Sequence, residues 1–140
     1  MSNIARILKD SRIIAIVGMS DKPERASHEV ADYLLQHGYR VLPVNPALAG
    51  RDVLGQRAYA NLMEAAAAVA PARIDIVDCF RKSEDILPIA EEAIAVKAGC
   101  LWLQLDIINE QAAQLARAAG LDVVMNHCTK IEHRKLAVAA

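Results

Sequence analysis

Short apolar runs and longer amphipathic stretches take turns along this 140-residue chain. Five runs stand out: IIAIV (13–17), RVLPV (40–44), IDIVDCF (74–80), CLWLQL (100–105) and DVVMN (122–126). Their length and β-branched content predict buried strands. Between the first two, Val30, Leu34 and Leu35 share a helical face, and Gly38 follows as a stop. ILPIAEEAIAVKAG likewise closes at Gly99, and NEQAAQLARAAG opens on Asn109 and closes at Gly120. A glycine just ahead of a strand, repeated in this way, is a β-α-β rhythm. NIARILKD, with Ile4, Ile7 and Leu8 on one side, predicts a further helix packed outside the sheet. The segment from Ala47 to Arg73 is the least regular and reads as a loop with one short edge strand and a weak helical turn. Together these elements predict a single domain over residues 1–140. Its expected architecture is a Rossmann-like, doubly wound α/β fold: a five-stranded, mostly parallel sheet with helices on both faces. Counting the five runs in chain order, the expected sheet order is 3-2-1-4-5.

Charge and composition remove several function classes. A formal net charge of −1 gives no global basic field, and aromatics at 4% are too sparse for a base-stacking platform. No nucleic-acid partner is expected. No stretch of 18 apolar residues occurs, and MSNIARILKDSR lacks a leader's apolar core, so the expectation is a cytoplasmic protein with no membrane partner. The cysteines, Cys79, Cys100 and Cys128, are odd in number and have no CxxC spacing, which predicts reduced thiols.

In an open parallel sheet, ligands bind beyond the carboxyl ends of the strands, and this rule sorts the polar residues. Gly18, Ser20, Asp21, Lys22 and Arg25 follow the first run; Asn45 and Pro46 follow the second, with Arg51 further along. Arg81, Lys82 and Ser83 follow the third, Gln104 and Asn109 the fourth, and Asn126, His127 and Cys128 the fifth. The turn after Gly18 leads into a helix amino terminus, whose free N–H groups favour an anion. Gly18 permits close approach, Ser20 offers a hydroxyl, and Lys22 and Arg25 add charged donors. A lone glycine is equally the mark of a plain tight turn. Arg81 and Lys82 on the same rim favour the anion reading. A nicotinamide dinucleotide would need a carboxylate at the end of the second strand, where this chain reads PVNP, so NAD is disfavoured.

Three ordered stretches, VGMSDKPERASHEVADYLLQHGYRVLPVNP, DIVDCFRKSED and LWLQLDIINEQAAQLARAAGLDVVMNHC, carry a resemblance. The chain resembles the stand-alone CoA-binding domain family, similar to the CoA-binding domain of the succinyl-CoA synthetase alpha subunit, over roughly residues 10–135. The resemblance implies that CoA or an acyl-CoA is the ligand, with Gly18, Met19, Ser20 and Lys22 around its pyrophosphate. It implies that Val44, Asn45 and Pro46 line the adenosine part, and that Phe80 and Arg81 bound the far side. Members commonly carry GAS where this chain has GMS, and an acidic-basic pair where it has Asn126 and His127.

No catalytic residue is expected. His127 and Cys128 are neighbours on a strand and would point to opposite faces, without an orienting carboxylate. His127, Cys128 and His133 lack a zinc spacing, and no metal is expected. Asp75 and Asp78 lie within a strand rather than across a cleft. The alternatives of the same fold are an NAD(P)-type module or redox sensor, and a protein-interaction domain; protein partners and acyl preference are not legible.

Overall fold

The computed structural model describes residues 3–139. In chain order it forms α1 (Asn3–Asp10), β1 (Ile13–Val17), α2 (Ala26–Gln36) and β2 (Arg40–Val44). A two-strand hairpin follows, β3 (Asp52–Val53) and β4 (Gln56–Arg57), then α3 (Leu62–Val69) and β5 (Ile76–Cys79). The chain closes with α4 (Ile86–Ala95), β6 (Cys100–Leu103), α5 (Glu110–Ala118), β7 (Asp122–Val124) and α6 (Thr129–Ala139). All five runs are strands of one parallel sheet, as expected for the doubly wound fold.

The sheet order is β2-β1-β5-β6-β7, which is 2-1-3-4-5 in the numbering of the runs and corrects the expected 3-2-1-4-5. Both orders satisfy right-handed crossovers, and the hydrophobic pattern is the same for either. The connection through α3 carries the chain back over β1, so β5 pairs with β1 rather than with β2. β1 thus has a neighbour on each side, and the crevice opens beside it.

Alternation along each strand distributes two cores. Ile14, Ile16, Ile76, Cys100 and Trp102 face Ile7, Leu8, Val30 and Leu34, so α1, α2 and α6 cover one face. Ala15, Val17, Val77, Leu101 and Leu103 face Leu62, Ala65, Ala90, Ala112 and Ala116, so α3, α4 and α5 cover the other. Small alanines let these three helices lie close to the sheet. Burial on both faces explains why the strands read as unbroken apolar runs.

The segment 47–73 departs from the expected loop. Its helix α3 is two turns long and starts at Asn61, whose side chain accepts the Glu64 N–H at 2.9 Å. Tyr59 adds a short parallel bridge to Val44, donating to the Pro43 carbonyl and accepting from Asn45 N–H. Helix α6 was not anticipated. Gly38 and Gly120 take positive φ after their helices, but ahead of β6 that conformation falls on Lys97 (φ 59). Gly99 serves space instead: a Cβ there would lie 2.8 Å from the Asp75 carbonyl oxygen. No helix among the described residues is long and apolar enough to cross a membrane.

Candidate functional site

Gly18 ends β1 with φ +86, a conformation that side chains rarely adopt, and turns the chain toward β2. Its N–H and that of Met19 both donate to the Val44 carbonyl, at 3.0 and 3.3 Å. Asn45 completes the clamp. Its Nδ2 donates to the Met19 carbonyl at 2.8 Å, while its Oδ1 accepts from Ala47 N–H at 2.9 Å. The ends of β1 and β2 are therefore locked together before any ligand is considered.

Beyond this clamp, Ser20 N–H donates to the Ser27 hydroxyl at 3.0 Å and Lys22 N–H to the Ser20 hydroxyl at 3.1 Å. Both hydroxyls act here as acceptors, which leaves their own protons available to an anion. Arg25 is the N-cap of α2 and makes no side-chain cap bond. The first N–H groups of a helix have no acceptor within it, so the amides of Ala26, Ser27 and His28 carry the positive end of α2 outward. Ala26 and Ser27 line a cavity of about 410 Å³ whose wall also includes Ser20, Lys22, Arg25 and Phe80.

Two further cavities adjoin it, and all three share Gly18 and Asn45. One, of about 330 Å³, shares Phe80 as well and adds Arg81, Lys82 and Asp85 at the rim. The other, of about 320 Å³, lies toward α3 and α4 between Val44, Pro46 and Arg81, and it carries the acids Glu84, Asp85 and Glu92. Arg81 lies 4.0 Å from Asp85, an exposed and loose pair. The groove thus carries Lys22 and Arg25 against the single acid Asp21 at its α2 end, and is mixed in charge beyond Arg81.

Every candidate named from the sequence (Gly18, Met19, Ser20, Lys22, Arg25, Val44, Asn45, Pro46, Phe80, Arg81) borders one of these cavities. Their parts differ from the sequence reading in two places. The Met19 side chain is fully buried in the core, so only its backbone faces the site. Asn45 spends its side-chain amide on the turn and works as a brace. Ser27 was missed; a serine in the first turn of a helix preceded by a serine-bearing loop is the signal that marks it.

The residues beyond β6 and β7 turn inward. Gln104 donates through Nε2 to the carboxylate of Asp78, and Thr129 Oγ1 donates to the other Asp78 oxygen at 2.8 Å. Asp78, Gln104 and Thr129 are all buried, tying β5, β6 and the start of α6 together. Burial without a cation raises the Asp78 carboxyl to about 7, partly offset by those two hydrogen bonds. Asn109 caps α5 and also donates to the Ser83 carbonyl at 2.9 Å. The chain does turn at Asn126 (φ 61), and His127 has a carboxylate beside it after all, Glu132 at 3.5 Å, which corrects that part of the sequence reading; Cys128 is buried. His133 Nδ1 lies 2.8 Å from the Tyr33 hydroxyl, and neither residue lines the three groove cavities; no group of three metal-ligating side chains forms among the described residues. Burial pushes the thiols of Cys79 and Cys100 up, away from the reactive thiolate.

The sequence and the fold recur in known proteins. The chain is 38% identical to YneT of Bacillus subtilis over 132 residues, covering 94% of this chain and 93% of that one. Among solved structures, it matches a hypothetical protein from Pyrococcus horikoshii OT3 at 38% identity and a TM-score of 0.87, covering 96% of this chain and 90% of that one. A Thermus thermophilus protein matches at 33% identity and a TM-score of 0.88, covering 97% and 99%. The model of the CoA binding domain family matches residues 12–134, which contain both walls of the groove, and the chain belongs to that family.

Proposed function

We propose that the protein binds CoA or an acyl-CoA in the groove beside β1 and holds it without transforming it. The diphosphate would lie over the Gly18–Ser20 turn and the amino end of α2, between Lys22 and Arg25. Adenosine would lie toward Val44, Asn45 and Pro46, with Phe80 and Arg81 bounding the far side. The observation that carries this reading is the uncapped start of α2, which faces a cavity furnished with two cations and two hydroxyls against one carboxylate, Asp21. An NAD-type ligand fits less well, because the end of β2 offers the braced Asn45 where a ribose diol would need a carboxylate.

Isothermal titration calorimetry with CoA and with NAD tests the proposal. A charge-assisted hydrogen bond is worth roughly 1.5–3 kcal/mol. CoA, the more highly charged ligand, is therefore expected to bind at least about tenfold tighter than NAD. That advantage should shrink as salt rises, and Lys22→Gln should weaken CoA by about tenfold. NAD binding as tight as CoA, or CoA affinity indifferent to both salt and Lys22→Gln, would overturn it.

A further inference from the structure

Another cavity, of about 370 Å³, shares no lining residue with the groove among the described residues. Leu8 and Lys9 of its lining belong to the last turn of α1, ahead of β1, and Tyr39 immediately precedes β2. This cavity therefore sits by the amino ends of the two strands, whereas the groove opens at their carboxyl ends. The five residues of β1, about 16 Å of extended chain, separate them.

Its lining is mostly carbon: Ala5 and Leu8 from α1, Leu136 and Ala137 from α6, and Tyr39. Among the described lining residues Lys9 brings the one charge, and there is no carboxylate. Lys9 is exposed and has no ion-pair partner among the described residues. The end of α1 is satisfied without it, since the Ile7 carbonyl accepts from the Ser11 hydroxyl and the Leu8 carbonyl from the Tyr39 hydroxyl. His133 supplies the other polar group. Its ring packs edge-on against Tyr33, His37 and Tyr39, with centroids 5.5, 5.2 and 5.6 Å away, and its Nδ1 meets the Tyr33 hydroxyl at 2.8 Å. With that hydroxyl donating to Nδ1, the ring proton sits on Nε2, which has no partner among the described residues. An apolar cavity of about 300–1,000 Å³ with a few fixed polar groups is the usual form of a small-molecule site.

We propose that this cavity is a second binding site, for a small carboxylate with an alkyl body. The alkyl tail would lie among Ala5, Leu8, Tyr39 and Leu136, and the carboxylate would accept from Lys9 Nζ and His133 Nε2. A cationic ligand would face Lys9 with no acid to meet it. The proposal is independent of the CoA reading.

Octanoate and its uncharged counterpart octanol test it, titrated into isotope-labelled protein and followed by amide chemical shifts in NMR. Octanoate should move the amides of Leu8, Tyr39 and His133 and leave those of Gly18, Ser20 and Lys22 in place. Hexanoate, shorter by two methylenes, should bind about fifteenfold more weakly. Lys9→Gln should weaken octanoate by about fivefold and leave octanol unchanged. Ala137→Phe, at an exposed position, should block both ligands while the circular dichroism spectrum stays native. Octanoate that leaves the cavity amides unmoved, shifts the groove amides instead, or loses nothing to Lys9→Gln overturns the proposal, and none of these outcomes bears on CoA.

Discussion

Alanine at Gly18 and alanine at Gly38 form a matched pair that isolates what the β1–α2 turn requires. The two glycines have almost the same backbone, φ +86 and φ +91. Either alanine therefore meets a left-handed strain of about 1–2 kcal/mol. Reduced freedom of the unfolded chain offsets roughly 0.4–1 kcal/mol of that. The surroundings differ. At Gly38 the new methyl meets nothing within 4 Å, whereas at Gly18 it would lie 2.9 Å from the Phe80 carbonyl oxygen and 3.0 Å from Arg81 Cδ. The exposed Arg81 can swing aside. The Phe80 backbone cannot do so freely, because its N–H is tied to the Val17 carbonyl at 2.8 Å. Forcing atoms into a packed site costs typically about 1–3 kcal/mol, and that is the expected gap between the two variants. With a urea m-value of about 2 kcal/mol per molar, Gly18→Ala should unfold about 0.5–1.5 M earlier than Gly38→Ala. A domain holding about 5–15 kcal/mol remains folded, so ligand binding can be measured on both. Gly18→Ala should lose at least about tenfold in CoA affinity, and Gly38→Ala, at the other end of the sheet, should lose none. Coincident urea midpoints would refute the crowding argument, and normal CoA binding by Gly18→Ala would refute the placement of the ligand.

Two further outcomes follow from the buried polar groups. The Asp78 carboxyl stands at about 7 in the fold against 3.8 ordinarily, so between those values the folded chain holds a proton that the unfolded chain has released. Its contribution is full below the lower value and is lost as pH rises through the higher. Wild-type stability should therefore fall relative to Asp78→Asn by an amount on the order of a few kcal/mol, read by urea denaturation across that window; parallel profiles would contradict it. Asn109→Ala removes the cap of α5 and should cost about 1 kcal/mol, a drop in Tm of about 3–5 °C, while Asn109→Asp, which keeps the cap but loses the donor to the Ser83 carbonyl, should recover only part of it.

The strands were legible because burial on both faces leaves an uninterrupted apolar run, which few other arrangements produce. α2 and α5 were legible through Gly38, Asn109 and Gly120. α3 was underread because four alanines carry little periodic contrast, although Asn61 followed three residues later by Glu64 is a start signal. α6 was hidden by its charged surface (Lys130, Glu132, Arg134, Lys135), since a helix docked by a few contacts and by Thr129 shows no broad apolar stripe. Sheet order was out of reach, because it depends on where a crossover lands and not on what the strands contain. In the site, the turn at Gly18 could be read but not the division of labour within it. The reversal there sends Met19 into the core and occupies Asn45 entirely with backbone partners, and neither follows from residue type. Arg51 is the same lesson over a longer distance: only the fold shows that its guanidinium lies 3.4 Å from the Asp21 carboxylate.

The borders of the sheet also govern how this protein can meet other chains. An open row of N–H and C=O groups is a template on which a foreign strand can grow, and both outer strands deny it. β2 carries Pro43, which has no N–H to offer, and Tyr59 already occupies the Pro43 carbonyl and the Asn45 amide. β7 spans only Asp122–Val124, and its first residue is held by Arg6 of α1 at 3.1 Å. Strand addition and amyloid-like stacking are thereby disfavoured at both borders of the five-stranded sheet in the native state, which leaves helices, loops and the small β3–β4 hairpin as the surfaces on which native copies could meet.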